Sequence, residues 1–304
     1  MRKEFSASIE KIAKSNKKVI FMTGDLGFMA LENLQKSLKN RFINAGVSEQ
    51  NMMSLAAGLA REGLSPVCYS IAPFAVFRPA EQIRLDICLH NMNVKIVGNG
   101  GGYGYGIMGP THHAIEDIAV IASFQNIKCY IPFCNEDVDE IVHQMMRRIG
   151  PAYLRLGLGK KPDKVKIPQY YHTRKILSGN SITAVAMGPI SLNIFKSLEL
   201  YNGLNNKVDL FVVSEMPLKE LSAELKDSIR ATGKLLVLEE HVKQGGLGEN
   251  ISSLILESGI PCKYLALYAK GYHNGLYGSQ QYHQMVNGLD PNSIAKTIKE
   301  LMNA

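Results

Sequence analysis

The chain has 304 residues, of which 46% are hydrophobic and 20% charged, with a formal net charge of +7. That length supports two ordinary domains, and the absence of any apolar run of about 18 residues excludes a membrane-spanning helix. The 34 basic residues are dispersed and belong to no visible nucleic-acid-binding motif, which argues against a nucleic-acid-binding protein.

Apolar strand-like runs alternate with helix-like periods along most of the chain. The amphipathic N-terminal segment predicts a helix and not a signal peptide, so the cytoplasm is the expected location. The first half predicts, in order, strand 19–22, helix 48–63, strand 67–71, helix 79–89, strand 94–97, helix 114–124, strand 127–131, helix 135–148 and strand 152–156. The second half predicts strands 182–187, 208–213, 235–238 and 262–267, with helices after 191, over 218–229 and after 246.

This alternation predicts parallel sheets covered by helices on both faces. Residues 161–178 interrupt the pattern, since they contain Pro162, Pro168 and several lysines but few periodic apolar residues. The predicted organisation is therefore a domain over 1–160, a linker over 161–178 and a second domain over 179–304. The expected fold class is α/β, with two doubly wound domains and largely parallel sheets.

The five cysteines predict neither disulfides nor a metal site. Their number is odd and the sequence has no Cys-x-x-Cys pair. We expect reduced thiols, most of them buried, and no metal ligands from this chain.

A glutamate, Glu49, lies in the first turn of the predicted helix 48–63, within residues 46–52 (Gly-Val-Ser-Glu-Gln-Asn-Met). An acid in a first turn often serves only to complement the helix dipole. The segment, however, resembles that of transketolases and 1-deoxyxylulose-phosphate synthases that carries the cofactor-activating glutamate. The resemblance implies that Glu49 binds the pyrimidine ring of thiamine diphosphate and shares a proton with a ring nitrogen, which requires a buried carboxyl group.

Residues 109–112 (Gly-Pro-Thr-His) resemble the Gly-Pro-Thr-His-Gln motif of transketolases, with His113 where the family usually has glutamine. A lone histidine in a loop is often only a solvated or capping residue. The resemblance implies instead that His112 contacts the cofactor and a substrate oxygen, where an imidazole can move protons.

Two further segments resemble cofactor-contacting parts of the family. Residues 73–78 resemble the segment whose aromatic rings stack on the pyrimidine, so Phe74 and Phe77 are both candidates, although either could be plain core. The turn at 23–27 (Thr-Gly-Asp-Leu-Gly) resembles the family's Ala-Asp-Leu turn, which makes Asp25 a candidate near the cofactor or only a turn residue. Residues 239–241 and 245–248 resemble the C-terminal domain, where packing is their expected role.

The resemblance covers nearly the whole chain, and it also implies a partner. A full-length transketolase begins with a domain that binds the diphosphate through a divalent cation, with a Gly-Asp-Gly turn that this sequence lacks. We therefore expect thiamine diphosphate and Mg²⁺ to be held mainly by a separate N-terminal-half transketolase subunit. Because the family builds its site between units, self-association through a dimer interface and a heterotetramer of two copies of each subunit are expected.

The substrate-binding positions of the family are altered. Met108 stands where the family has an aspartate for a sugar hydroxyl, Leu158 where it has an arginine for phosphate, and Gly100 near a further basic position. Arg2 matches one remaining arginine, or is only solvated at the terminus. Since phosphate and hydroxyl groups need charged or polar donors, the expected sugar substrate is atypical: non-phosphorylated, deoxygenated or nucleotide-linked.

The glycine-rich loop 98–106 fits a remodelled pocket in which Tyr103 and Tyr105 stack on a sugar or base, or it is merely a flexible loop. Two other functions stay open. The chain could be the beta subunit of a different thiamine-diphosphate enzyme, either a 2-oxoacid dehydrogenase or a deoxyxylulose-phosphate synthase. It could also be a non-catalytic scaffold that kept the fold.

Overall fold

The computed structural model describes residues 1–27, 29–163, 165–204 and 206–303, which form two α/β domains on largely parallel sheets, as predicted. The strands are β1 (Val19–Thr23), β2 (Phe42–Asn44), β3 (Ser65–Ile71), β4 (Lys95–Asn99), β5 (Lys128–Tyr130), β6 (Ala152–Leu156), β7 (Thr173–Leu177), β8 (Ile182–Met187), β9 (Val208–Val213), β10 (Glu215–Met216), β11 (Lys234–Glu239) and β12 (Lys263–Leu267). The helices are α1 (Arg2–Ser15), α2 (Glu32–Leu38), α3 (Glu49–Arg61), α4 (Ala72–Val76), α5 (Ala80–Gln82), α6 (Asp117–Ala122), α7 (Val138–Arg147), α8 (Leu192–Leu200), α9 (Ala223–Thr232), α10 (Leu247–Ser258), α11 (Gln280–Val286) and α12 (Pro291–Asn303).

The first sheet has the strand order β10-β5-β6-β4-β3-β1-β2, and its strands are parallel except for β10, which runs antiparallel to β5. Its central strands β3, β4 and β6 are buried almost throughout because helices cover both faces of the sheet. Strand β10 comes from the second half of the chain and so ties the two domains together.

The second sheet has the order β12-β11-β8-β9-β7, with β7 antiparallel to β9. Strand β7, Thr173–Leu177, lies inside the range that the sequence assigned to a linker, so that assignment is wrong for these five positions. The sequence pattern was misleading because Arg174 is a charged residue, which is typical of a loop, whereas in the structure it is buried in a strand. Its guanidinium donates to both carboxylate oxygens of Asp137, over 2.8 and 2.7 Å, and so joins the edge strand to the first domain.

One hydrophobic cluster runs through both domains. It contains Met187 and Phe211 from the second domain together with Tyr153 and Ile131 from the first domain, all fully buried. Because interiors of this kind are close-packed, the two domains share a core and hold the carboxyl edge of the first sheet in place. Among the described residues, no helix is long and apolar enough to cross a membrane.

Three local predictions differ from the structure. Helix α6 begins at Asp117 and not at Ala114, because Ala114 pairs with Gly102 as an antiparallel bridge. Helix α9 spans Ala223–Thr232 instead of 218–229. Ser48 holds the N-cap position of α3, but its side chain does not cap the helix and donates instead to the Ala45 carbonyl over 2.5 Å.

Candidate active site

Four segments that follow neighbouring strands meet at the carboxyl edge of the first sheet. Asp25 follows β1, and Glu49 begins the helix after β2. Phe74 lies just after β3, and His112 lies in the long loop after β4. The order β4-β3-β1-β2 makes these strands neighbours, and ligands of open α/β sheets bind at this edge.

Glu49 is an acid held almost entirely out of solvent, with 3% of its surface exposed. The Ser70 hydroxyl donates to Glu49 Oε1 over 3.1 Å. Arg78 Nη1 donates to both carboxylate oxygens, over 3.2 and 3.1 Å. A Cβ on Gly24 would lie 3.3 Å from Oε1, so a glycine there lets the chain pass close to the carboxylate. The buried charge is thus partnered, as burial requires, and it lies beside an open groove lined by 47–51 and Arg78.

Phe74 is the aromatic ring that lies beside the Glu49 cluster. The guanidinium carbon of Arg78 lies 3.7 Å from the centroid of the Phe74 ring. The His112 ring meets Phe74 edge-on, with 5.1 Å between centroids. Phe77 is 38% exposed and makes none of the ring contacts found among the described residues. Of the two aromatic candidates, the geometry favours Phe74.

His112 is half-buried, and its ring contacts Phe74. Its Nδ1 lies 2.9 Å from the Thr111 hydroxyl oxygen, and its ring lies 5.9 Å from that of Tyr105. The Tyr105 hydroxyl accepts a hydrogen bond from Asn99 Nδ2 over 2.7 Å. An imidazole held in this way can exchange a proton with a ligand that lies over Phe74.

Asp25 lies in a turn of positive φ, 58°, and is exposed. Its Oδ1 accepts from Asn44 Nδ2 over 2.8 Å, and its backbone N–H donates to Asn44 Oδ1 over 3.1 Å. This reciprocal pair joins the ends of β1 and β2. The contacts support the role of a turn residue that fixes Gly24 beside Glu49.

Tyr103 lies between the two domains and not in a substrate pocket, which corrects the expectation for this residue. It is fully buried, and its ring stacks on that of His283 with 4.7 Å between centroids. Its hydroxyl donates to the Gly271 carbonyl over 2.8 Å. His113 is buried in the same cluster, with Nε2 donating to the Gly106 carbonyl over 2.6 Å, and burial lowers its pKa.

Gly100 and Tyr105 form one packed unit at the end of β4. Gly100 has a φ of +80°, and a Cβ there would lie 2.3 Å from the Tyr105 ring. The glycine therefore serves the close approach of Tyr105, which is half-buried and faces His112. This part of the loop is ordered by packing, in contrast to a merely flexible loop.

Met108 and Leu158 are exposed beside this edge, with 50% and 72% of their surface accessible. Met108 lies in the loop after β4, and Leu158 follows β6, the next strand of the sheet. Arg2 is half-buried and forms a hydrogen bond with the Tyr69 side chain, so it is not simply solvated. Where these residues stand relative to a substrate stays a prediction.

Sequence reasoning missed the partners of Glu49. Arg78 ends the segment 73–78 that resembles the family, but nothing in the sequence shows that its side chain folds back over Phe74 onto Glu49. Ser70 lies inside a buried strand, where a serine gives a weak signal of function. Polar residues next to the carboxyl end of a strand are the signal that could have identified both Ser70 and Asn99.

Comparison with known proteins assigns the family. Residues 1–160 match the family described as transketolase, pyrimidine binding domain, and 172–294 match transketolase, C-terminal domain. The chain belongs to the transketolase family. Its similarity extends along almost all of the described residues, which confirms the resemblance read from the motifs.

Two transketolase relatives are apulose-4-phosphate transketolase subunits B. That of Phocaeicola vulgatus is 26% identical over 99% of this chain and 97% of its own length. That of Actinobacillus succinogenes is 30% identical over 85% of this chain and 84% of its own length. The 1-deoxy-D-xylulose-5-phosphate synthase of Clostridium perfringens is 26% identical, and the chain spans only 48% of its length.

A solved transketolase structure has nearly the same extent and fold. It is described as a split-gene transketolase in an inactive beta4 tetramer, and it superposes with a TM-score of 0.85 at 26% identity. The match covers 99% of this chain and 98% of that one. The similarity therefore applies to both domains and to their arrangement.

The described residues of this transketolase chain contain no group of three or more His, Cys, Asp or Glu that could hold a metal ion. A diphosphate group is usually held through a hard cation with oxygen ligands. What the cleft offers instead is a buried carboxyl, an aromatic face and an imidazole. These are groups that a flat heterocycle with hydrogen-bonding edges can contact.

Proposed function

We propose that this chain provides the pyrimidine side of a thiamine-diphosphate site in an enzyme that transfers a two-carbon ketol unit to an aldehyde acceptor. The observation that carries the proposal is the buried Glu49 carboxyl, linked through Arg78 to the Phe74 ring, with the His112 ring edge-on to Phe74. The transketolase family generally depends on thiamine diphosphate and a divalent cation, and the cleft has the groups that one half of this cofactor needs.

Each residue has a separate task in this proposal. Glu49 shares a proton with a pyrimidine nitrogen, and the Ser70 hydroxyl orients the carboxyl over 3.1 Å. Phe74 supplies a flat apolar face for the ring. His112 exchanges a proton with the substrate oxygen nearest the reacting carbon. The cofactor itself supplies the carbanion chemistry, while the protein places and polarises it.

A separate subunit completes the site in this proposal. The diphosphate and Mg²⁺ are held mainly by an N-terminal-half transketolase subunit, in a complex of two copies of each chain. Support comes from the relatives that are named as subunits, and from the lack of an acidic metal-binding cluster among the described residues. The solved relative described as an inactive tetramer of beta chains fits an enzyme that needs both kinds of chain.

Calorimetric titration of thiamine diphosphate with Mg²⁺ tests this arrangement. We expect no binding to the purified chain alone and micromolar or tighter binding once the co-expressed N-terminal-half subunit is present. Tight binding to the chain alone would contradict the need for a partner. A homodimer of this chain with full turnover would contradict it equally.

The substrate is proposed to be an atypical sugar that presents a less charged end than a sugar phosphate. The carboxyl edge carries exposed apolar side chains after β1, β4 and β6: Met29 is 74%, Ile107 74%, Met108 50% and Leu158 72% exposed. Such a surface gives no charge-assisted donor to a terminal phosphate. A deoxygenated, non-phosphorylated or nucleotide-linked sugar fits it better.

Leu158→Arg tests the substrate proposal directly. The arginine adds a planar pair of N–H donors of the kind that binds phosphate. The ratio of kcat/KM for phosphorylated acceptors to kcat/KM for non-phosphorylated ones should therefore rise by roughly tenfold or more. Leu158→Gln is the uncharged control and should leave the preference unchanged. If the unmodified enzyme already prefers fructose 6-phosphate and ribose 5-phosphate, the proposal is wrong, and the two relatives named for apulose 4-phosphate become the better guide.

A deoxyxylulose-phosphate synthase is the second candidate, because relatives of that name match the chain over 98% of its length. The two reactions differ in one product: decarboxylation of a 2-oxoacid releases carbon dioxide, whereas ketol transfer does not. Supplying the complex with an aldehyde and pyruvate labelled at its carboxyl carbon therefore separates them. Labelled carbon dioxide would favour the synthase.

A further inference from the structure

Arg78 occupies the space that a pyrimidine ring would need in the proposed site. Its guanidinium carbon lies over the Phe74 ring, 3.7 Å from the centroid. Its Nη1 also donates to both oxygens of Glu49, over 3.1 and 3.2 Å. The Phe74 face and the Glu49 carboxyl are the two surfaces that the proposed function gives to the pyrimidine, and one planar cation now satisfies both.

We propose that Arg78 is an internal competitor for the cofactor site, whose side chain must leave the cleft before a pyrimidine can bind. This inference rests on the proposed function. A guanidinium and an aminopyrimidine are both planar and both present N–H donors at an edge. Either group therefore stacks on an aromatic face while it donates to a carboxylate.

The side chain of Arg78 has the freedom to leave. It is 44% exposed, whereas that of Glu49 is 3% exposed. It lines the open groove that contains Glu49 and the first turn of α3. Its backbone carbonyl accepts from Gln50 Nε2 over 3.3 Å, a contact that does not depend on where the side chain lies.

The contact also occupies the acceptor atoms of the carboxyl group. Arg78 Nη1 uses both carboxylate oxygens of Glu49, whereas the Ser70 hydroxyl uses only Oε1. When Arg78 leaves, Glu49 keeps the Ser70 hydrogen bond and its burial but has an acceptor oxygen free for the edge of a ring. Cofactor loading and the hydrogen bonding of Glu49 are thereby coupled.

The test is the affinity of the complex of this chain with the co-expressed N-terminal-half subunit for a pyrimidine fragment, 4-amino-5-hydroxymethyl-2-methylpyrimidine, followed by ligand-observed NMR. Half-exposed ion pairs and cation–π contacts are individually weak, so the complex with Arg78→Ala should bind the fragment roughly tenfold more tightly than the unmodified complex. Arg84→Ala, which removes an exposed arginine nearby, should not change the affinity. Arg78→Lys keeps the charge but loses the planar guanidinium group. Its affinity for the fragment should lie between those of the unmodified protein and Arg78→Ala.

The outcomes separate this proposal from the proposed function. If Arg78→Ala binds no more tightly while Glu49→Gln binds more weakly, Arg78 is not a competitor but the pyrimidine site stands. If no variant binds the fragment, or if neither substitution changes its affinity, both proposals are wrong. Unfolding midpoints of the variants confirm that the comparison is between folded proteins. If Arg78→Ala does not fold, Arg78→Lys replaces it in the same comparison.

Discussion

Asp117 is the residue whose removal should most disturb the structure behind the site. It is fully buried at the start of α6, and it accepts hydrogen bonds from Arg155 Nε over 2.9 and 3.1 Å and from the Tyr153 hydroxyl over 2.7 Å. Arg155 Nη2 also donates to the carbonyls of Ala114, over 2.8 Å, and Glu240, over 3.1 Å. One ion pair thus holds the loop after His112 and joins the two domains.

Asp117→Ala leaves the buried Arg155 cation without its anion. Breaking such a pair from one side costs about 3–5 kcal/mol. The Tyr153 hydroxyl loses its acceptor, which adds about 1 kcal/mol to the loss of stability. We expect the free energy of unfolding to fall by about 4–6 kcal/mol, a large part of the 5–15 kcal/mol that is typical of folded domains. Urea denaturation at 25 °C, with midpoint and slope fitted together, measures it.

The matched control is the double variant Asp117→Leu with Arg155→Met, which replaces the charges by apolar side chains of similar size. It should recover most of the lost stability, since apolar packing often equals or exceeds a buried ion pair. A loss below about 1 kcal/mol in Asp117→Ala would refute the reasoning. So would a double variant that is no more stable than the single one.

Two further predictions concern an acid-sensitive histidine and a crowded glycine. Burial lowers the pKa of His241 from 6.5 to about 4, so the unfolded state protonates first as pH falls. His241 should therefore contribute a loss of stability of up to about 3 kcal/mol between pH 6.5 and 4, which Glu239 opposes because burial raises its pKa to about 7. Relative to the unmodified protein, His241→Gln should gain stability as pH falls through this range, as denaturation curves at each pH would show. Gly100→Ala places a Cβ 2.3 Å from the Tyr105 ring, so it should lower the unfolding temperature by several degrees more than Gly63→Ala, which has the same φ of +80° but no neighbour within 4 Å. Equal shifts for the two glycines would rule out the contact with Tyr105.

The fold could be predicted because strands of a two-sided parallel sheet are continuous apolar runs. Strands β8 and β9 are buried at every position and were visible as such. The strands that were not predicted are short or polar: β2 has three residues, β10 has two, and β7 contains Arg174. Their pairing depends on partners far away in the chain, which local patterns do not encode.

The candidate site could be anticipated only where a motif and a strand end coincide. The resemblance proposed Glu49, His112 and either Phe74 or Phe77, and the choice between the two aromatic residues needed the structure. The parallel sheet brings these segments together because each follows one of its strands. Tyr103 was misplaced because a tyrosine in a glycine-rich loop suggests exposure, while its stacking partner His283 comes from the second domain. Arg78 could not be placed, since its position depends on two contacts made only in the fold.

The measurement that tests the central claim most directly is the exchange rate of the thiazolium C2 proton of thiamine diphosphate in the proposed complex of this chain with an N-terminal-half subunit. Glu49→Gln keeps the size of the side chain but cannot share a proton in the same way. We predict that exchange slows by about 10²–10⁴-fold, the usual contribution of a positioned acid–base group. Asp25→Asn, at the neighbouring turn, should leave the rate within about threefold of the unmodified enzyme if Asp25 takes no part in proton transfer. An unchanged rate in Glu49→Gln, with the cofactor shown to be bound, would contradict the role assigned to Glu49.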